Sequence, residues 1–296
     1  MTDSFSDAFT PPGPQTGSGR KIEEHLYPRS SELRVYRTGL YSCSYLPGLQ
    51  ARSQVIDPAT PMLPVLFQQL LHHGFRRSGD MIYRPACDHC QACLPLRVDV
   101  AGFAPDRSQR RAWKRHQSLS VNLRPLRFDA EHFALYQRYQ QLRHQDQAGA
   151  DETEQGDSHD NYSNYLLCSP VESALAEFRE PPGSPEAGRL RMVSLIDFQQ
   201  DSLSAVYTFY DPDVAGSSYG IFNVLWQIRL CHQLHLPWLF LGYYIRDCRK
   251  MAYKRRYQPA QGLHQGEWLP LARLETLPQA IPAFPCQYPD SHPPSS

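Results

Sequence analysis

The sequence predicts an α/β (α+β) chain of mixed sheets with flanking helices, a smaller N-terminal domain preceding a larger C-terminal one. Three observations lead there. Strand-length apolar runs and helical stripes follow one another through the second half; a nearly continuous apolar strand, Trp238–Ile245, comes directly after a helix; and strand-like segments of the first half bracket a cysteine cluster. The 296 residues, 41% hydrophobic and 20% charged, suit two compact units that need no disulfides to fold. No run approaches the roughly 18 to 20 apolar residues that span a bilayer. The N-terminus has no basic region followed by an apolar run, so a soluble, cytoplasmic protein with no membrane partner is expected.

Taken in order, residues 1–24 are rich in Pro, Gly, Ser and Thr and read as a disordered tail. Pro61–Phe75 has apolar positions at helical spacing and a stop at Gly74. Met81–Arg84 and Leu96–Val100 read as strands with the cysteines in the loop between them. Leu119–Leu126 alternates like a half-buried strand, and Ala130–His144 reads as an amphipathic helix. A boundary near Pro125 gives an N-terminal domain over 25–125, with the cysteine cluster and a basic block, and a larger domain over 126–275. The tail 276–296, with Pro282, Pro285, Pro289, Pro293 and Pro294, reads as flexible.

Within the larger domain, Arg191–Phe198 and Leu203–Tyr210 form a hairpin across Gln199–Ser202. A loop from Asp211 to Ser218 leads into a helix over Tyr219–His235, striped by Ile221, Leu225, Ile228, Cys231 and Leu234 and ended by Pro237. The strand Trp238–Ile245, apolar on both faces, belongs in a parallel or mixed sheet. In a strand–loop–helix–strand unit, free backbone N–H groups gather at the strand's end, where they bind phosphates or oxyanions. In order and lengths this half resembles the acetyltransferase-like (GNAT-like) fold. Ser217 and Ser218 also have the simpler reading of helix N-caps.

Thirty Lys plus Arg balance 30 Asp plus Glu, yet the charge is uneven. Seven basic residues and no acid lie between Arg107 and Arg127; six, against Asp247 alone, lie between Arg246 and Arg256. Residues 146–160 carry six acids and no Lys or Arg, so the basic blocks can form a positive surface although the total cancels. Ordinary solvated faces are the bland reading. The run Ser108–His116 sets Trp113 among five cations, a composition suited to holding a phosphate backbone and stacking a base; equally, Trp113 could turn into the core. The run from Leu241 to Pro259 takes a buried strand into a cationic, aromatic mouth.

Cys87, Cys90 and Cys93 form a C-x2-C-x2-C run whose sulfurs can converge from one loop. A ferredoxin pattern would want a cysteine where Arg97 stands. A zinc or iron–sulfur site would take its fourth ligand from Cys43, or next from His89; unligated thiols are the other reading. No nucleophile elbow, zinc-protease helix, phosphate-binding P-loop or dinucleotide fingerprint is present.

The strings YSCSYLPG with ARSQV, YRPACDHCQACLPLRV, RSQRRAWKRH, SAVYTFYDPD, LWQI and LGYYIRDCRKMAYKRRYQP resemble the aminoacyl-tRNA–protein transferase (R-transferase) family. The likeness runs from about Leu26 to Trp268 and is strongest to the bacterial branch that moves leucine onto N-terminal Asp or Glu, marking proteins for degradation. It implies leucyl-tRNA and such proteins as partners. The aminoacyl ester is already activated, so the transfer requires no cofactor, and a zinc or iron–sulfur cluster at Cys43, Cys87, Cys90 and Cys93 would be structural or regulatory.

Asp211, Tyr243 and Tyr244 are the candidates for helping the α-amine attack. One of Arg76, Arg77, Arg84 and Arg246 would read the acceptor carboxylate. Arg107, Arg110, Arg111, Trp113, Lys114, Arg249, Lys250 and Lys254 would meet the tRNA backbone, and Ser217, Ser218 and Gly220 its 3′ end. Where the family shows S-L-G, this chain has Ser218, Tyr219 and Gly220. The stretch after His144 is acidic where the family has a glycine and methionine pattern. Two readings compete: an acyl-CoA N-acetyltransferase, whose glycine-rich pyrophosphate loop is missing here, and a non-enzymatic, metal-stabilised tRNA-binding protein.

Overall fold

The computed structural model describes residues 33–145, 158–214 and 216–277. The tail 1–24, the acidic residues 146–157, Cys286 and nearly all of the C-terminal tail lie outside them.

In chain order the elements begin with β1 (Val35–Arg37), β2 (Tyr41–Ser42), β3 (Gln50–Ala51), β4 (Ser53–Ile56) and α1 (Pro64–His72). Next come β5 (Arg76–Ser78), β6 (Met81–Pro85), β7 (Leu94–Asp99), α2 (Arg107–His116), β8 (Ser120–Arg124) and α3 (Ala130–Gln145). The second half runs α4 (His159–Tyr162), β9 (Ser173–Arg179), β10 (Leu190–Phe198), β11 (Ser202–Tyr210), α5 (Tyr219–Gln233) and β12 (Trp238–Tyr244). It closes with β13 (Ala260–His264), β14 (Glu267–Pro270) and α6 (Leu271–Glu275).

Local signals explain several boundaries. Pro64 opens α1, where a missing N–H costs nothing, and Gly74 at φ +85° stops the chain just beyond it. Asp106 caps α2 in a capping box: its carboxylate accepts from the Ser108 and Gln109 N–H groups, and the Gln109 side chain reaches back to the Asp106 N–H. The expected helix and strand from Tyr219 to Ile245 are present, as is the hairpin before them.

Strands β1-β4-β6-β5 make one sheet, and β14-β13-β7-β12-β11-β10-β9-β8 make a second of eight strands. β12 runs parallel to β11 and antiparallel to β7, so the sheet is mixed, as its apolar sequence requires. Because β7 lies between β13 and β12, a boundary at Pro125 would cut through the large sheet. Alternation gives that sheet two buried faces. Leu239, Leu241 and Tyr244 of β12 join a core with Phe222, Leu225 and Ile228 of α5 and Trp113 of α2. Phe240 faces the other way, into a core with Phe67, Leu70 and Leu71 of α1. Farther along that second face, α3 covers Val193, Leu195 and Phe209. No helix of the described residues is long and apolar enough to cross a membrane.

Candidate active site

The large sheet opens where β12 parts from its neighbours. β11 and β12 pair over three residues only, from Ser202–Trp238 to Ser204–Phe240, and the β12–β7 register shifts between Phe240 and Tyr243. Leu241 and Gly242 fall outside both ladders, and Gly242 sits at φ +73°, a conformation other residues rarely adopt. The strand then delivers Tyr243 against the small sheet. Its phenol donates to the Gly74 carbonyl at 2.9 Å, and Pro95 packs so close to Gly74 that an added Cβ would stand 2.9 Å from it.

At this junction the four candidate arginines separate. Arg77 is saturated: it grips Asp197 of β10 through Nε at 2.8 Å and Nη2 at 2.6 Å, and also reaches Gly79, Cys168 and Ser173. Arg84 bonds the Gln54 side chain and the His73 carbonyl and lies over the Phe75 ring. Arg246 gives Nη2 to the carbonyls of Leu274 and Leu277, which ties it to α6, and its buried Nε alone has no partner among the described residues. Arg76 differs. It is 6% exposed, its Nη1 donates to the carbonyls of Leu71 and Phe75, and its Nε and Nη2 have no partner among the described residues. Its guanidinium carbon lies 5.0 Å from the Phe240 ring centre and 5.7 Å from that of Tyr243. Burial lowers its pKa, and among the described residues no carboxylate opposes it. Unpaired buried donors on a cation cost several kcal/mol, an arrangement that suits an anion arriving with a substrate.

None of the three expected catalytic side chains is free to act as a base. Asp211 is fully buried and ion-paired with Arg191 at 2.9 Å, Arg189 at 3.0 Å and Arg138 at 3.4 Å. Burial alone would raise its pKa, but Arg191, the Asp213 N–H, Arg138 and Arg189 hold it below the ordinary carboxylate range. Its role is to anchor the loop that follows β11. Burial raises the Tyr243 pKa and, with Glu275 adding to it, pushes Tyr244 to about 12. Both phenols donate, to the Gly74 carbonyl and to Glu275 Oε1 at 2.7 Å.

The two basic blocks, far apart in sequence, meet. Arg256 pairs with Asp106 at 2.7 Å, and the Gln109 side chain donates to the Arg256 carbonyl at 3.2 Å. Arg107, Arg110, Arg111, Lys114 and Arg115 of α2 are exposed, as are Arg249, Lys250, Arg255 and Arg256. The C-terminal end of α2 also holds the loop after β11: Arg115 donates to the Gly216 carbonyl and His116 to that of Ser217. A cationic strip thus leads to the N-terminus of α5. Trp113 is no part of that surface, since it is 3% exposed and packs on Phe222 with ring centres 5.4 Å apart. Nor is Ser218 a side-chain cap. It adopts φ +60° without a capping bond, Ser217 is buried, and Gly220 lies in the first turn of α5.

Models of the two halves of the arginine-tRNA-protein transferase family match the chain, the N-terminal one over residues 41–111 and the C-terminal one over 131–264. The aspartate/glutamate leucyltransferase of Chromobacterium violaceum is 49% identical over 247 residues, 83% of this chain and 95% of that protein. The enzyme of the same name from Nitrosospira multiformis is 48% identical over 256 residues, 86% of this chain and 97% of that protein. The chain belongs to the arginine-tRNA-protein transferase family. Among solved structures it overlaps FemX over 76% of this chain and 84% of that one, with a TM-score of 0.42 and 7% identity, which adds nothing to the sheet topology itself.

The N-terminal match of this transferase family spans Cys43, Cys87, Cys90 and Cys93. These thiols share a neighbourhood with Cys248: burial, then the charges of Cys87, Cys90, Cys43 and Cys248, pushes Cys93 up to about 12. They do not form the expected cage, since no three His, Cys, Asp or Glu side chains among the described residues are placed to hold a metal. Cys43 Sγ instead accepts from the Leu46 N–H, and Cys87 Sγ donates to the Arg52 carbonyl. Cys87, Cys90 and Cys93 line a cleft of about 480 Å³ with Gly74, Arg84, Pro95, Tyr243 and His264.

Two features escape sequence reasoning. The clamp of α2 on the loop joins Arg115 and His116 to carbonyls about 100 residues away, which no local pattern reports. Lys254 reads in the sequence as one more surface cation, but its amine points inward and donates to the Tyr243 carbonyl at 2.7 Å. No signal in its own segment distinguishes it from its basic neighbours.

Proposed function

We propose that this protein transfers leucine from leucyl-tRNA to the α-amine of proteins beginning with Asp or Glu, in the cytoplasm, and so marks them for degradation. The observation that carries the reading is Arg76, a buried guanidinium with two open donors beside the opening of the large sheet, in a chain 49% identical to an aspartate/glutamate leucyltransferase. A paired cation makes a carboxylate preferable to the isosteric amides of Asn and Gln.

The reaction makes one amide C–N bond and breaks one ester C–O bond. The α-amine attacks the leucyl carbonyl, the resulting oxyanion collapses, and the ribose hydroxyl of the tRNA leaves carrying the proton the amine gave up. An α-amine of pKa about 7.7 to 8 is partly neutral near neutral pH, so positioning contributes more than a strong base. That agrees with an anchored Asp211 and two donating phenols. Exposed cations of α2, with Arg249, Lys250 and Arg255, would hold the tRNA backbone, and the loop before α5 its aminoacyl end. The ester is activated before it arrives, so the transfer needs no cofactor. We assign the cysteines no step.

The test is to incubate the protein with radiolabelled leucyl-tRNA or arginyl-tRNA and peptides beginning with Asp, Glu, Asn, Lys or Ala, and to count label on peptide. Leucine on the Asp and Glu peptides alone is expected. Folded protein that binds tRNA yet labels no peptide would sink the reading, and transfer from arginyl-tRNA alone would replace the donor.

A further inference from the structure

Arg76 is not the only cation left without an acid at this place. Lys254 leaves the short 3-10 turn Ala252–Arg256 as a half-buried residue, but its ammonium is inside, 2.7 Å from the Tyr243 carbonyl, its one hydrogen bond among the described residues. A Cβ added at Gly242 would stand 3.8 Å from that nitrogen, so the amine reaches the segment where β12 leaves both of its ladders. Tyr243 joins the two cations: its ring lies beside the Arg76 guanidinium, and its carbonyl takes the Lys254 amine. An ammonium has three donors and a guanidinium five. Most of these are open here.

Burial first, and then the charge of Arg76, lower the pKa of Lys254 to about 8, with only the Cys248 thiol opposing. The other titratable groups facing the pair are the phenols of Tyr83 and Tyr243, both raised by burial and so neutral. Two neighbouring cations with no counter-anion repel each other, and that strain is relieved by a ligand bringing negative charge.

We propose that Lys254 is the second cation of the acceptor site, so that Arg76 and Lys254 together take the two side-chain carboxylate oxygens of an N-terminal Asp or Glu. This rests on the transfer reading above. It makes Lys254 a specificity residue instead of a tRNA contact. Because a lysine of lowered pKa loses its charge as pH rises through about 8, affinity for acidic peptides falls there, while the donor's affinity does not follow it.

The experiment measures leucine transfer to matched peptides beginning with Asp and Asn by the wild type, Lys254→Met and Lys254→Arg, with each variant's folding checked by thermal melt. In Lys254→Met, KM for the Asp peptide is expected to rise by about 10- to 100-fold, with KM for leucyl-tRNA unchanged and the preference for Asp over Asn reduced to match. In the wild type, KM for the Asp peptide climbs above pH 8. In Lys254→Arg, affinity is largely kept and that climb is absent, since a guanidinium stays charged. This arm decides even if the methionine variant does not fold. An unchanged Asp-to-Asn ratio, an equal loss on both peptides, or a loss confined to the tRNA would overturn the assignment, the last pointing to a donor phosphate. A wild type that labels neither peptide would overturn the transfer reading itself, and this inference with it.

Discussion

Arg76 and Arg77 are neighbours on one short strand, and both are about 6% exposed, yet they do opposite work. Arg77 spends its donors on Asp197, Gly79, Cys168 and Ser173, which ties the small sheet to β10. Arg76 points toward β12 and keeps two nitrogens open among aromatic rings. Burial of a charge therefore says little by itself; what separates a structural arginine from a binding one is whether its donors are already used.

The largest expected effect breaks the saturated member. Arg77→Ala leaves the Asp197 carboxylate buried and unpaired and should cost about 3 to 5 kcal/mol, read by chemical denaturation. Arg76→Met should do the reverse. Removing an unpaired buried cation should leave the unfolding midpoint unchanged or raised, while kcat/KM for an Asp peptide falls by about 100-fold and transfer loses its preference for Asp over Asn. If Arg76→Met instead unfolds the protein while Arg77→Ala leaves it stable, the contrast between them is wrong.

The third prediction moves to the surface. Arg110→Ala, Arg111→Ala and Lys114→Ala combined should weaken leucyl-tRNA binding and flatten the salt dependence of log Kd by about 1 for each phosphate no longer neutralised, with peptide KM unchanged. Filter binding at several salt concentrations reads it. The smallest effect belongs to the cap that seats this basic helix. Partial desolvation alone would raise the pKa of the exposed Asp106, but bonds from Gln109, Arg256 and Ser108 bring it down to about 2. Asp106→Ala should cost about 1 kcal/mol of stability. In the wild type that contribution is present above the ordinary Asp pKa and fades as pH falls toward 2, so an acid melt should show the difference between variant and wild type shrinking.

The sequence alone determined the parts that depend on near neighbours. The hairpin over Arg191–Tyr210, the helix from Tyr219 and the apolar strand from Trp238 follow from periodicities that each segment carries within itself. So does the family, whose strings are contiguous. The capping box of α2 is equally local, although the density of charge in Arg107–His116 points first to a surface and only second to the helix that carries it.

Only the tertiary structure could decide the rest. β7 enters the large sheet between β13 and β12, from segments more than 130 residues apart, so no local pattern at Pro125 reports it. The inward turn of Trp113, the three arginines around Asp211 and the inward amine of Lys254 all depend on what the fold brings against those side chains. The same holds at the site. Four arginines of one chemistry are equivalent as letters, and a hydrogen-bond partner 120 residues away satisfies Arg77 while, among the described residues, nothing satisfies Nε and Nη2 of Arg76. Whether a donor is used is a property of its surroundings, and the surroundings of a buried side chain are assembled from the whole chain.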